Sequence, residues 1–132
     1  MFKDSKAFSS FSTNDPKATK KFYEEVLGLE VKVDLNMGML TIEFKNGTTV
    51  MIYPKGIHHA PANFTVLNFP VKKIDEAVDA LIEKGVEFEH YDNEYIKTDK
   101  KGISRDPEGP QVAWFKDPAG NILAVMQIPS EK

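Results

Sequence analysis

The chain has 132 residues, 41% hydrophobic and 28% charged, with a formal net charge of -3. That length is enough for one domain with its own core and too short for two independent ones, and the balance is that of a folded chain, not a disordered one. Its basic residues are scattered among acids and include a single arginine, Arg105, so no stripe exists to track phosphates and no nucleic-acid partner is expected.

The first strand-like run is Phe8 to Ser12, and a helix follows over Asp15 to Gly28, DPKATKKFYEEVLG. Asp15 suits the N-cap, Pro16 the first helical position and Gly28 the stop. Ala18, Phe22 and Val26 recur every four residues and predict the buried stripe. Three runs with strand character come next: Val31 to Leu35, Met39 to Phe44 and Thr49 to Tyr53. A linker, 55–63, is flanked or broken by Pro54, Gly56 and Pro61.

The same order then repeats. Phe64 to Phe69 reads as a strand, and Ile74, Val78, Leu81 and Ile82 predict a helix from Ile74 to Lys84 that stops at Gly85. Asp75 and Glu76 in its first turn suit the helix dipole. Val86 to Tyr91, Val112 to Lys116 and Ile122 to Ile128 complete the strand set. Between the last two, Asp117, Pro118 and Gly120 make a hairpin turn, with a side-chain acceptor, a preset φ and a tolerance of positive φ. FKNGTTVMIYP echoes FKDPAGNILAVMQIP, and VLGLEVKV echoes IEKGVEFEH.

One α+β domain over 1–132 is therefore expected, made of two βαβββ units at about 5–54 and 64–129. One helix covers only one face of a four-stranded sheet, so the other face needs a partner. Two such sheets facing each other, within a chain or across a dimer, would form a partly closed, mixed, eight-stranded barrel-like sheet. Its lumen would either take a ligand or be filled by side chains.

FSTNDPKATKKFYEEVLGLEV, Phe11 to Val31, together with DPAGNILAVMQ, Asp117 to Gln127, resembles the vicinal oxygen chelate superfamily. That superfamily includes glyoxalase I, extradiol dioxygenases, and fosfomycin and bleomycin resistance proteins. The resemblance covers about residues 5 to 129 and rests on scaffold motifs, which name no activity. In metal-dependent members it implies one histidine or glutamate ligand from each of four strands, facing the lumen. Here those positions fall on Phe8, Met51, Val66 (or Phe64 if the loop before the second helix is shorter) and Ala124, and none carries a metal donor. Their neighbours Ser9, Val50, Ile52, Thr65, Leu67, Leu123 and Val125 do not repair the set. No metal and no cofactor are expected, and the alanine would leave room where a glutamate would sit.

Strand parity sorts the remaining residues. Ser9, Phe11, Leu123 and Val125 should face the helices. The lumen set, and the expected ligand-binding residues, are Phe8, Ser10, Met51, Tyr53, Val66, Asn68, Ala124 and Met126, with Trp114 as a further member. Such a lining suits a flat or greasy molecule oriented by Tyr53, Ser10 and Asn68. His58 and His59 lie in the linker as surface residues. His90 follows Val86 and Phe88 in parity and is a weak acid or base candidate, without a visible second group to orient it. The stretch 92–110 has no clear period and could be a lid carrying Tyr95, Lys97 and Arg105, a surface excursion or a long hairpin.

The functional expectation is a small-molecule-binding protein of the bleomycin-resistance type that takes an apolar or aromatic compound without a metal. A metal-dependent lyase or dioxygenase resembling glyoxalase I, using unusual ligands such as His90 with Glu89 or Glu43, is the alternative. A metal-free enzyme built on His90 and Tyr53 is a third. The chain lacks cysteine, an N-terminal apolar segment and any apolar run beyond the five residues 122 to 126, so a cytoplasmic protein away from membranes is expected. A homodimer is expected as well.

Overall fold

The structure, a computed structural model, describes residues 1–129 and divides into two compact units, Met1–Pro61 and Ala62–Lys132. In the first unit the order is β1 (Ser9–Thr13), α1 (Pro16–Lys21), β2 (Glu30–Val33), β3 (Leu40–Glu43) and β4 (Thr49–Pro54). The second unit repeats it as β5 (Thr65–Pro70), α2 (Ile74–Glu83), β6 (Ile103–Arg105), β7 (Gln111–Lys116) and β8 (Ile122–Gln127). Each unit holds a mixed four-stranded sheet, ordered β1-β4-β3-β2 and β5-β8-β7-β6. The first strand of each unit runs parallel to the last, and the other pairs are antiparallel. This is the α+β architecture with two βαβββ units that the sequence predicts. Among the described residues no helix is long and apolar enough to cross a membrane.

Each unit has its own core on the helical side of its sheet. In the first, Phe11, Val31, Leu40, Ile42, Val50 and Ile52 are buried, and the register lines up Phe11, Ile52 and Leu40 across three strands. In the second, Ala113, Phe115, Leu123 and Val125 are buried with Ile74 and Val78 of α2. The parity expected for Phe11, Leu123 and Val125 therefore holds, although Ser9 at the strand start is exposed.

The first helix departs from its predicted stripe. Asp15 caps it through a 3.1 Å bond from the Ala18 N–H, but the buried residues are Thr19 and Tyr23, one position after Ala18 and Phe22. Two features turn it. The Thr19 hydroxyl is bonded to that of Thr13 at 2.7 Å, fixing a polar contact in the core, and Phe22–Val26 widens into a π-helical turn with Leu27 N–H donating to Phe22 O. Ala18, Phe22 and Val26 are left half-buried.

In α2 no side chain of its own first turn or N-cap bonds the helix start; instead Gln127 Oε1, from β8, accepts the Ile74 N–H at 2.8 Å. Gln127→Ala should therefore cost about 1 kcal/mol, the worth of an ordinary N-cap, read as a shift in the urea midpoint with an unchanged slope.

The second unit corrects two expectations. Val86 to Tyr91 forms no strand; it touches the sheet through one bridge, Phe88 with Phe115, and the Glu89 N–H bonded to Trp114 O at 2.8 Å. The fourth strand of the sheet is Ile103–Arg105, inside the stretch 92–110 that showed no clear period. Both segments share the outer edge of β7, Arg105 to Ile103 pairing with Gln111 to Ala113 and Phe88 with Phe115. They can abut because Gly102, with φ of 88°, brings bare backbone against Phe88. Between them a small hairpin closes at Asp92 and Lys97, with Asn93 Oδ1 accepting the N–H groups of Tyr95 and Ile96.

Candidate functional site

The site candidates are the helix-free faces of the two sheets, taken separately. On the first, the register sets Met51 between Ser10 and Thr41, and Ser12 beside Tyr53. Met51 and Tyr53 are half-buried, Ser10 is exposed, and Phe8 lies before β1 and is largely exposed. The linker reaches this face, since the Ser12 hydroxyl and His59 Nδ1 are 2.7 Å apart. His59 thus leaves the surface role expected of it and ties the linker to β1, whereas His58 is exposed. Nothing in the sequence singled out that pair, because the residues are 47 positions apart.

The second face is built around the chain's one tryptophan. Asn68, Ala124 and Trp114 lie in one row across β5, β8 and β7. Trp114 Nε1 donates to Thr65 Oγ1 at 3.1 Å. Strands two apart in a sheet are separated by about 9.6 Å, so an indole rooted on β7 that bonds a side chain on β5 must cross β8 between Ala124 and Ile122. The ring lies over Ala124, which has no exposed surface. Tyr91 braces it edge-on, with ring centroids 5.5 Å apart and planes at 85°, a geometry worth about 1 kcal/mol beyond burial. Met126 and Ile122 are half-buried beside it and Asn68 is exposed.

Two expectations change here. The space above Ala124 is covered by the Trp114 indole, because alanine is small enough to let the ring cross. Val66 drops out of the row, because the register slips between Thr65 and Leu67 and leaves it as the extra residue of a bulge. Thr65 takes the place beside Ile122 and carries the hydroxyl. Thr65 and Tyr91 were missed; the only trace in the sequence was the lone tryptophan, whose N–H demands a partner when partly buried.

At the four implied metal positions, Phe8, Met51, Val66 and Ala124 offer hydrocarbon and one thioether, which do not fit a metal of hard or borderline character. Among the described residues no three or more histidine, aspartate or glutamate side chains are grouped to hold an ion. His90 is exposed, the end of a parity series whose Val86 and Phe88 are buried.

Arg105, which would meet a ligand if 92–110 were a lid, is committed elsewhere. Its guanidinium binds Asp75 with both terminal nitrogens, at 2.8 and 3.2 Å, and Asp99 through Nε at 2.8 Å. Lys101 adds ion pairs to Asp75 and Asp79 at 3.1 and 2.8 Å. The cluster fastens β6 and the segment before it to α2 at Asp75 and Asp79. Hydrogen bonds from Arg105 and then Lys101 lower the Asp75 carboxyl from 3.8 to about 2. Desolvation pushes Asp99 up, but Arg105 and the N–H groups of Ile103 and Lys101 outweigh it and hold it below its ordinary value. A folded-state value below the unfolded one means the contribution is complete above about pH 4 and is lost as pH falls toward 2. Asp75 is half exposed, so solvent screening keeps the effect small. Asp75→Asn should flatten part of the fall in urea midpoint between pH 5 and pH 2.5; an unchanged slope would refute the clasp.

Two βαβββ units, each with a helix-covered core and a helix-free face, define the class. The chain belongs to the glyoxalase/bleomycin resistance protein/dioxygenase superfamily, whose family model matches residues 9–125. Similar solved structures include a member of that superfamily from Sphaerobacter thermophilus DSM 20745, at 24% identity and TM-score 0.67, covering 92% of this chain and 95% of the other. TnmS3, an antibiotic binding protein from Streptomyces sp. CB03234, shares 23% identity at TM-score 0.65, with 93% and 96% covered. A lactoylglutathione lyase from Agrobacterium tumefaciens shares 18% at TM-score 0.66, with 92% of each chain covered. These likenesses establish the fold alone. No curated protein matches the sequence.

Proposed function

We propose that this protein binds an apolar or aromatic small molecule against the helix-free faces of its sheets, without a metal, and that it does so as a homodimer. The observation that carries the reading is the second face, where Trp114 lies across Ala124 beside Met126 and Tyr91, with Asn68 as the polar group in the same row. Such a surface gains by removing apolar area from water, about 25 cal/mol per Å², and offers aromatic and thioether contacts with one amide to orient a guest. The positions where the family resemblance implies metal ligands support it from the other side, since neither Phe8 and Met51 in the first unit nor Val66 and Ala124 in the second would give a cation a donor in return for its lost hydration. A solved protein of the same fold, TnmS3, is an antibiotic binding protein. A lyase or dioxygenase would need donors that those four positions lack.

Two measurements on the purified protein test it. Elemental analysis should find nickel, zinc, iron and manganese well below one equivalent, and 2-naphthol should shift the single indole N–H resonance saturably. Stoichiometric metal, or no shift with 2-naphthol at its solubility limit, defeats the reading. Sedimentation velocity should show a species of twice the chain mass.

A further inference from the structure

We infer that Thr65 is a positioning residue for ligand selection: by latching the Trp114 indole across β8 it makes a fixed flat plate that favours planar, uncharged aromatic molecules over their saturated counterparts. This rests on the proposed binding function and deepens it.

The latch follows from the register. Thr65 stands opposite Ile122, and Trp114 opposite Ala124, so the bond from Nε1 to Oγ1 runs over two strand spacings and a two-residue offset along β8. A tryptophan side chain has two rotatable bonds. The backbone of β7 holds one end of this one, the Thr65 hydroxyl holds the other, and Tyr91 meets it edge-on at 5.5 Å. Ordering the ring is thus accomplished by the fold before a ligand arrives, which is the condition under which stacking contributes fully to affinity. The bulge between Thr65 and Leu67 makes the latch possible. Were Val66 in regular alternation instead of bulged out, counting back from Asn68 would put Thr65 on the helical side.

Charge decides the rest of the ligand class. The residues around the plate are Thr65, Asn68, Ile122, Ala124 and Met126, all neutral, and the nearest charged side chain on β7, Lys116, is paired with Glu89 at 3.2 Å. A charged guest would lose hydration without a partner. A neutral ring bearing a hydroxyl or carbonyl finds the plate under its face and the Asn68 amide in the same row. A flexible or puckered aliphatic of equal polarity meets only part of the plate.

The test compares 2-naphthol with decahydro-2-naphthol, which carries the same hydroxyl on a saturated frame, by titration at the Trp114 indole N–H resonance. Wild type should bind 2-naphthol at least about tenfold more tightly, the equivalent of 1.4 kcal/mol. Thr65→Val, similar in shape but without the hydroxyl, should move the free indole N–H resonance upfield, speed its exchange with solvent and reduce the preference to threefold or less. Thr65→Ser should restore both. Circular dichroism and the urea midpoint identify a variant that is merely unfolded. Equal affinity of wild type for the two compounds overturns the inference while leaving the binding function standing. A Thr65→Val protein whose indole resonance is unchanged, or whose tenfold preference persists with a loosened indole, overturns it too. Binding of neither compound removes the proposed function together with it.

Discussion

Replacing Asp117 by alanine lowers the stability of the protein by about 3 kcal/mol. The carboxylate is buried, and its Oδ1 accepts the N–H groups of Ala119 and Asn121 at 2.9 Å each while Oδ2 accepts the Asn121 amide at 3.0 Å. Hydrogen bonds to a charged group contribute about 1.5 to 3 kcal/mol each and do not add fully. Removing the acceptor also takes away the oxygen to which the Ala119 and Asn121 N–H groups both donate, in a site that water reaches poorly. A loss of this size lowers the melting temperature by roughly 10 °C for a chain of this length. Asp117→Asn keeps one oxygen for the backbone pair but sets an amide nitrogen against that of Asn121, so it should lose about half as much. Urea titration of the two variants checks this; an alanine variant within 0.5 kcal/mol of wild type would show that the turn holds without its carboxylate. The consequence reaches the binding face, because this turn sets the register that puts Trp114 opposite Ala124.

Gly102→Ala costs about as much, for a reason located in the backbone. At φ of 88° an alanine is strained by about 1 to 2 kcal/mol. Its Cβ would also stand 2.9 Å from Phe88 Cβ and 3.1 Å from Glu89 O, neither of which is the movable end of a side chain. Overpacking of this kind adds about 1 to 3 kcal/mol. The expected relief is parting of the two segments that share the edge of β7, so amide exchange at Glu89 should accelerate more than at β8. Gly47→Ala separates the two contributions: its φ is 92°, but nothing lies within 4 Å of the added Cβ, so only the backbone strain of about 1 kcal/mol applies. Equal losses for the two variants would refute the steric part.

Seven of the eight strands, both helices and the repeat were legible because each is written in local periodicity and punctuation. The alternation that sets Phe11, and Leu123 with Val125, apart from their neighbours marked the helical side without reference to any other segment. The same alternation placed Ser10, Met51, Tyr53, Asn68 and Met126 on the helix-free side, where the registers have them. It failed where one residue was inserted, at Val66, since a bulge reverses parity and depends on what β8 offers opposite. Val86 to Tyr91 alternates well enough for a strand, yet Ile103 to Arg105 pairs instead, for which Gly102 and the ion pairs of Arg105 with Asp75 and Asp99 provide the anchoring.

The sequence by itself determined the βαβββ repeat, the lack of donors at the four implied metal positions and the neutral, apolar character of the residues expected to meet a ligand. Those are properties of residue type and period, which no folding event can alter. Tertiary structure decided which segment closes the second sheet, that His59 meets Ser12, that Arg105 is used up in a clasp, and that the Trp114 ring covers Ala124 under the hold of Thr65. Each of these is a contact between residues far apart in the chain, and its existence depends on strand order and register, which are settled only when the two halves of a pairing compete for the same edge or face.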